Sequence, residues 1–388
     1  MSIVNATFPE SHTEFFTFDG MTLESGEFLG PITIAYQTYG TLSPAKDNAV
    51  LLFHAMTGNQ NAAGFNPEVP GCPYWNDECQ QGWWNGFIGS GCALDTDKVF
   101  VICCNYIGGC YGSTGPSSIN PQTGKPYAGD FPSISLSDIV DSQLKVIEHL
   151  GIETLLMALG GSLGGYMAMD LAARHPEKVR AVAPIASAAR TPVLSKVSNF
   201  EQIFAIEEDP NFNRGFYYDG EVPRKGLCLA RMIANKYFVS LGVLENRAKQ
   251  HILQHEDDLS GYKMKHQVES YMLYQGKKFV ERFDANTYLR ISEAWQNYDL
   301  IGKHGGGSLA QALAPCKDQK WLVFTINSDV CFYPEMQYEI AQALSDNGIH
   351  HQHVTVHSEK GHDAFLLEPH RFTPHIHFLA NDVLKSIR

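Results

Sequence analysis

Short apolar runs alternate with stretches of helical periodicity along most of the chain. The runs are about four to eight residues long and rich in β-branched residues, as is typical of buried strands. The predicted strands are Ile32–Tyr39, Ala49–His54, Val99–Asn105, Leu155–Leu159, Ala181–Ile185, Trp321–Ile326 and His353–Val356. Ser137–Leu150 places its apolar residues on one helical face before Gly151, and Glu335–Leu344 repeats that pattern. This alternation predicts an α/β protein with a mostly parallel central sheet flanked by helices.

One long segment breaks the alternation. From about Thr191 to Pro315 the pattern is mainly helical and rich in aromatic and charged residues, and it lies between two predicted strands. Insertions of this kind commonly form lids over an active site. The sequence therefore predicts a core domain of residues 1–190 and 316–388 and a helical lid insertion of residues 191–315.

Composition narrows the class of protein. A net charge of −13 argues against a nucleic-acid or anionic-membrane partner. The chain contains no apolar run of the roughly 20 residues that a membrane span needs, and its first residues lack the basic and apolar regions of a secretory signal. The nine cysteines form no paired framework. A cytoplasmic protein is the expectation.

Ser162 stands among glycines at a predicted strand-to-helix junction. Residues Gly160 to Gly164, "GGSLG", fit the pattern G-x-S-x-G, in which a serine occupies a tight and strained turn. Glycine two residues before and two after removes the Cβ atoms that would clash as the chain doubles back. The pattern predicts a nucleophilic Ser162 beside a helix N-terminus, whose N–H groups suit a developing oxyanion.

A serine nucleophile needs a general base and a group that orients the base. In this architecture the chain order is nucleophile, acid, histidine. Asp329 follows the predicted strand Trp321–Ile326, and His362 follows the next strand. Both lie at C-terminal strand ends, where an open α/β sheet places its site. Asp363 is the rival acid, but its position next to His362 is poor for reaching the far imidazole nitrogen. The predicted triad is Ser162, Asp329 and His362.

The oxyanion site needs a second backbone donor from the loop after an early strand. "VLLFHAMTGN" supplies that loop, so the N–H of Met56 (or Thr57) is expected to pair with that of Leu163. His54, in the same loop, is expected to be a packed histidine. No metal site is expected, because alternation along a strand would divide the cluster of His350, His351 and His353 between two faces.

Longer motifs make a family recognisable. The stretches "HAMTG", "GWWNGFIG", "NYIGGCYGSTGPSSINP", "GLCLARMIA", "NSDVCFYP" and "GHDAFL" resemble those of the homoserine O-acetyltransferases, an acyltransferase branch of the α/β-hydrolase fold. The resemblance implies an α/β-hydrolase fold and a two-step transfer of an acetyl group from acetyl-CoA to L-homoserine through an acetyl-serine. It implies no tightly bound cofactor, acetyl-CoA being a co-substrate, and a homodimer that forms through the lid.

The resemblance also implies roles for residues outside the triad. Arg231, in the "ARMIA" stretch, would hold the homoserine carboxylate, since a guanidinium pairs well with a planar carboxylate. Asp363 would bind the amino group. The expected substrate-binding residues are Arg231, Asp363, Phe238 and Thr57.

Two residues depart from the family pattern. Phe238 and Val239 replace the tyrosine and arginine usual in the family, and phenylalanine cannot donate the hydrogen bond that the tyrosine hydroxyl makes to the acceptor. Loss of such a bond commonly costs about 1–2 kcal/mol. An alternative function therefore stays open: a carboxylesterase of the same family that uses Ser162, Asp329 and His362 to give the acetyl group of an ester to water.

Overall fold

An eight-stranded sheet forms the centre of the computed structural model, which describes residues 9–251, 259–304 and 306–387. The strands are β1 (Glu14–Phe18), β2 (Ile32–Tyr39), β3 (Ala49–Phe53), β4 (Phe100–Cys104), β5 (Met157–Gly161), β6 (Ala181–Ile185), β7 (Lys320–Ile326) and β8 (His351–Val356). They lie in the order β1-β2-β4-β3-β5-β6-β7-β8. Only β2 pairs antiparallel, with β1 and β4; every other pair of neighbours in this sheet is parallel.

Helices lie between and beside the strands. They are α1 (Asp77–Gln80), α2 (Leu136–His149), α3 (Leu163–Arg174), α4 (Val193–Glu207), α5 (Arg224–Phe238), α6 (Leu241–Ala248), α7 (Gln267–Val280), α8 (Ala285–Gln296), α9 (Leu300–His304), α10 (Leu309–Leu313), α11 (Pro334–Asp346), α12 (Ala364–Leu367) and α13 (Thr373–Ser386). Two-residue strands form three small ribbons outside the sheet: Met21–Thr22 with Phe28–Leu29, Ile88–Gly89 with Leu94–Asp95, and Ile119–Asn120 with Lys125–Pro126.

The inner strands are buried on both faces, which explains their nearly continuous apolar sequence. Strand β3 shows the principle. Leu51 and Phe53 join a core with α2, α3 and several helices that follow β6, whereas Val50 and Leu52 join a second core with α13. Both faces of the sheet are thereby covered by helices. The packed sheet provides a rigid support for the loops that follow the C-terminal ends of its strands.

Local sequence signals account for the ends of the helices. Ser135 caps α2 and exchanges hydrogen bonds with Asp138, so the helix begins one residue before the predicted Ser137. Gly151 follows the helix with φ of 71°, a conformation that glycine adopts readily. Pro334 occupies the first turn of α11, where its missing N–H costs no helical bond.

The predicted fold class is confirmed: the sheet is mostly parallel and flanked by helices. The seven predicted strands are present: Ile32–Tyr39 and Ala181–Ile185 have the predicted bounds, and the other five differ by one or two residues at their ends. Strand β1 was missed, because this edge strand, "EFFTF", is half exposed and carries no continuous apolar run. Helices α4 to α10 lie between β6 and β7, within the predicted lid. The division into core and lid stays a prediction, and residues 1–8, 252–258, 305 and 388 of these ranges lie outside the described part.

Within the described residues, no single helix is long and apolar enough to cross a membrane. One bent pair, Arg224–Phe238 with Leu241–Ala248 at 115°, meets that criterion of length and composition jointly.

Candidate active site

Ser162 occupies the tight turn between β5 and α3. Its φ of 58° and ψ of −125° are strained for a residue with a Cβ atom, and such strain costs of order 1–3 kcal/mol. The flanking glycines make the turn possible. A Cβ on Gly160 would lie 2.5 Å from the Gly164 carbonyl carbon, and one on Gly164 would lie 2.2 Å from the Phe53 oxygen. The steric reason given for the G-x-S-x-G pattern therefore holds at both glycines.

At two further positions beside Ser162, tertiary packing leaves no room for a Cβ atom. A Cβ on Gly161 would meet the ring of Phe365 at 2.4 Å, and one on Gly165 would meet Ser187 Cβ at 2.5 Å. Neither neighbour is close in sequence. The pattern G-x-S-x-G leaves both positions open, so only the folded chain explains these two glycines.

Asp329 and His362 are in direct contact. Asp329 Oδ2 lies 2.7 Å from His362 Nδ1, while Oδ1 accepts the backbone N–H groups of Cys331 and Phe332 at 2.8 and 2.9 Å. Because an ionised carboxylate only accepts hydrogen bonds, the imidazole proton lies on Nδ1 and Nε2 carries the lone pair. This is the tautomer that a general base requires.

The surroundings of His362 set its protonation. Burial lowers the pKa of His362, but the charge and hydrogen bond of Asp329, with the charge of Asp363, outweigh burial, so the pKa lies above its ordinary value. The rings of Phe332, Phe365 and Phe238 lie 5.3, 5.6 and 6.0 Å from the imidazole centre. The His362 imidazole is thus surrounded by aromatic rings, and the carboxylates of Asp329 and Asp363 favour its charged form.

Ser162 and His362 line one cavity of about 220 Å³. No hydrogen bond joins them in the described part of the chain, and the buried His362 Nε2 has no partner there. Hydrogen bonds between nucleophile and base are often long before substrate binds. The lone pair of Nε2 and the Ser162 hydroxyl therefore share one space in which a proton transfer can take place.

Eight of the nine predicted site residues line this cavity, and the ninth, Asp329, is reached through His362. The eight are Met56, Thr57, Ser162, Leu163, Arg231, Phe238, His362 and Asp363. The eight come from the loops after β3, β5 and β8 and from helices α3 and α5, whereas Asp329 lies in the loop after β7. Their roles stay predictions, but the fold brings all of them to the same place.

Two backbone amides are available at the cavity. Among the described residues, the N–H of Met56 and of Leu163 donate no hydrogen bond, and Leu163 begins α3. Unpaired amides at a helix start suit a developing negative charge. His54, in the Met56 loop, is buried and stacked on Tyr106 at 3.7 Å, and burial lowers its pKa to about 3. It is a neutral packed residue, as predicted.

Arg231 is a partly buried cation with no ion pair among the described residues. Its guanidinium lies over the rings of Phe279 and Phe238, at 4.8 and 5.2 Å, and forms no salt bridge or hydrogen bond within the described residues. Burial, and then the charge of Arg282, lower the pKa of Arg231. Burial raises the pKa of Asp363 in the same cavity. One positive and one negative group therefore face the cavity without pairing with each other.

The chain is similar to known proteins over most of its length. A family model for the alpha/beta hydrolase fold matches residues 48–369. The homoserine O-acetyltransferase of Deferribacter desulfuricans is 42% identical over 92% of both chains. The chain belongs to the homoserine O-acetyltransferase family. Among solved structures, homoserine O-acetyltransferase from Bacillus anthracis matches with a TM-score of 0.85 and 28% identity, covering 95% of this chain and 97% of its own. Esterase E22 matches with a TM-score of 0.84 and 25% identity, covering 95% and 100%.

Several residues that line the cavity of Ser162 and His362 were not predicted from the sequence. Those not predicted include Glu78, Cys79, Trp83, Arg282 and Trp295. Arg282 lies in the stretch "KKFVERFDANTYL", where neither periodicity nor spacing distinguishes it from a surface arginine. Its position beside Thr57 depends on a contact across 225 residues of sequence, which no local pattern encodes.

No three potential ligands are grouped for a metal ion in residues 9–251, 259–304 and 306–387. The histidines near β8 make other contacts. His353 Nε2 lies 2.7 Å from Thr325 Oγ1, and His351 Nδ1 lies 2.9 Å from the Ile349 oxygen.

Proposed function

We propose that the protein transfers an acetyl group from acetyl-CoA to the hydroxyl of L-homoserine through an acetyl-Ser162 intermediate. One observation carries the proposal. The cavity of Ser162 and His362 also contains the unpaired guanidinium of Arg231 and the carboxylate of Asp363. An α-amino acid carries one carboxylate and one ammonium, so these groups suit an amino-acid acceptor better than they suit water.

The first half of the reaction acylates the serine. His362 Nε2 takes the proton of Ser162 as Oγ attacks the thioester carbon of acetyl-CoA. The amides of Met56 and Leu163 stabilise the oxyanion. The carbon–sulfur bond then breaks, and the CoA thiolate takes the proton from His362. Asp329 keeps the imidazole in the required tautomer and stabilises its charged form.

The second half transfers the acetyl group. The homoserine carboxylate pairs with Arg231 and its ammonium with Asp363, which directs the side-chain hydroxyl toward the acetyl carbon. His362 Nε2 takes the hydroxyl proton, the new ester bond forms, and the bond from carbon to Ser162 Oγ breaks. The proton on His362 returns to the serine. Acetyl-CoA acts as a co-substrate, with no tightly bound cofactor.

The second candidate function is hydrolysis of acetate esters. Phe238 favours it, because this residue lies beside His362 and Arg231 and presents a ring with no hydrogen-bond donor to the cavity. The similarity to esterase E22 adds weight to this candidate. Hydrolysis needs the same triad but needs neither Arg231 nor Asp363.

One comparison of rates separates the two functions. Thiol release from acetyl-CoA is measured with and without L-homoserine, beside hydrolysis of p-nitrophenyl acetate. We expect homoserine to accelerate thiol release and O-acetylhomoserine to accumulate. Rapid hydrolysis of the ester together with thiol release that ignores homoserine would support the esterase.

Arg231→Ala gives a residue-level test of the acceptor site. We expect KM for homoserine to rise by roughly 10- to 100-fold, because a hydrogen-bonded charge pair contributes about 1.5–3 kcal/mol. Hydrolysis of p-nitrophenyl acetate should change little. Arg224→Ala is the matched control, since this arginine begins the same helix and pairs with Glu281 in an exposed position. An unchanged KM in Arg231→Ala would argue against homoserine as the acceptor.

The pH dependence follows from His362. The base must be neutral, so kcat/KM for acylation should fall as the pH drops through the raised pKa of His362. Asp363 contributes to that raised pKa. Asp363→Asn should therefore move the acid limb to lower pH in p-nitrophenyl acetate hydrolysis, a reaction that needs no amino-acid acceptor. An acid limb at the same pH in both proteins would contradict this electrostatic coupling.

We also propose a homodimer formed through the lid. Five residues of α4 form an exposed apolar stripe: Val193, Leu194, Val197, Phe200 and Phe204 are 51–67% exposed. Contiguous exposed apolar surface commonly marks an interface. Sedimentation should give twice the monomer mass, and Phe200→Glu with Phe204→Glu should give the monomer. Phe28→Glu, at a phenylalanine that is 67% exposed outside the lid, should leave the mass unchanged. A monomer in the unmodified protein would contradict the proposal.

We also propose that the protein is cytoplasmic, as expected from its cysteines. All nine cysteines are free thiols, and reduced cysteines are typical of proteins in a reducing compartment.

A further inference from the structure

Arg282 joins the helical segment to the loop that carries the proposed oxyanion donor. It lies between α7 and α8, and its Nη1 donates to the backbone oxygen of Thr57 at 3.1 Å and to the hydroxyl of Tyr111 at 3.2 Å. Its Nε lies 3.4 Å from Glu78 Oε2. A single guanidinium therefore connects the loop after β3, the loop after β4 and helix α1.

The Thr57 contact matters because Thr57 directly follows Met56. The turn is tight, since Gly58 N–H donates to the Ala55 oxygen at 2.9 Å. On its other side, the Tyr106 hydroxyl donates to the His54 oxygen. Arg282 holds the far end of this turn through the Thr57 carbonyl. The turn that presents the Met56 amide is thus held at both ends.

The charge of Arg282 is already compensated, in contrast to that of Arg231. Glu78 faces Arg282 and also pairs with Lys278 Nζ at 2.9 Å. Both arginines lie against the ring of Phe279, Arg231 at 4.8 Å and Arg282 at 5.1 Å. Of these two arginines, only Arg231 lacks a salt-bridge or hydrogen-bond partner among the described residues. Arg231 is therefore free to bind an anion, whereas Arg282 is occupied by contacts within the protein.

We infer that Arg282 is a positioning residue that holds the Met56–Thr57 turn in the geometry required for oxyanion stabilisation. This inference rests on the proposed function, because Arg282 acts through the Met56 amide. A displacement of about 1 Å in an active site can lower the rate roughly 100-fold. Lysine keeps the charge of Arg282 but loses the planar fork that reaches Thr57, Tyr111 and Glu78 simultaneously.

The test compares Arg282→Gln and Arg282→Lys with Lys278→Gln as the matched control. Lys278 shares the partner Glu78 but has no hydrogen bond to Thr57 in the described part of the chain. We measure kcat and KM for p-nitrophenyl acetate and for homoserine, and the rate and end point of Ser162 labelling by a fluorophosphonate. The end point counts competent sites, whereas the rate reports the oxyanion geometry at each site.

We expect Arg282→Gln to lower kcat and the labelling rate roughly 10- to 100-fold, with KM for homoserine within about threefold. Arg282→Lys should recover only part of the loss, and Lys278→Gln should match the unmodified protein. If Arg282→Gln does not fold, Tyr111→Phe should reduce the labelling rate in the same direction, because it removes the hydroxyl that contacts both the guanidinium and the backbone oxygen of Arg282.

Three results would overturn the inference. Arg282→Gln could match Lys278→Gln, which would show that the Thr57 contact is irrelevant. Arg282→Lys could restore the full rate, which would show that charge alone suffices. KM for homoserine could rise at an unchanged kcat, which would make Arg282 a substrate-binding residue. Failure of the proposed function is separate, since the unmodified protein would then show no homoserine-dependent transfer while its labelling rate still reports the turn.

Discussion

Ser162→Ala is expected to lower kcat for acetyl transfer and for ester hydrolysis by roughly 10⁴- to 10⁶-fold, since removal of a serine nucleophile costs about that much in comparable triads. The acetyl-enzyme cannot form without Oγ, so the homoserine hydroxyl in the transfer, or water in the hydrolysis, has to attack the acyl donor directly. Steady-state rates measure the loss, and mass spectrometry should detect no acetylated protein after exposure to acetyl-CoA.

The control for this change is Ser187→Ala. Ser187 is buried beside Gly165 near the same turn, and its hydroxyl has no partner among the described residues. Its replacement should leave kcat within about twofold, because the catalytic groups are untouched. Retention of more than a few per cent of activity by Ser162→Ala would show that another group is the nucleophile.

Asp329→Asn is expected to lower kcat roughly 10⁴-fold, as the matching change does in a serine protease triad. The asparagine oxygen can still accept the N–H groups of Cys331 and Phe332, so the loop should keep its shape. The new NH₂ group faces His362 Nδ1 and favours the tautomer with its proton on Nε2. That nitrogen then cannot accept the proton of Ser162.

Asp209→Asn is the matched control for the aspartate. Asp209 is a buried carboxylate that accepts the N–H groups of Asn211 and Gly226 at 2.9 and 2.7 Å, and it does not line the cavity. Kinetics and thermal unfolding measured together separate catalysis from stability. An Asp329→Asn enzyme with kcat within tenfold of the unmodified protein would exclude Asp329 as the group that orients His362.

Much of the fold could be predicted because its signals are local. The buried strands have apolar sequences on both faces, and the helix α2 carries its own cap and stop signal in Ser135 and Gly151. Strand β1 was missed because its stability comes from pairing with β2 at the edge of the sheet and not from a buried apolar run. Propensity is a weak guide where tertiary context decides the strand.

The candidate site was likewise predictable only where its determinants are local in sequence. The turn at Ser162 follows from residues within five positions of one another, so its sterics could be read before the structure was known. The contact of Asp329 with His362 agrees with the predicted pairing, but the pairing itself came from the chain order usual in this architecture. Nothing in the sequence around Arg231 distinguishes an unpaired cavity cation from a surface residue, and nothing around Arg282 indicates its bond to Thr57.

By itself, the amino-acid sequence determined the mostly parallel sheet, the helical segment between its strands, and the strained serine turn. Each of these depends on periodicity, or on steric limits among neighbouring residues. Only the tertiary structure decided which charges stay unpaired and which side chains hold the oxyanion turn. Those outcomes depend on contacts between segments separated by as many as 225 residues, where burial removes water as an alternative partner and small displacements change every hydrogen bond.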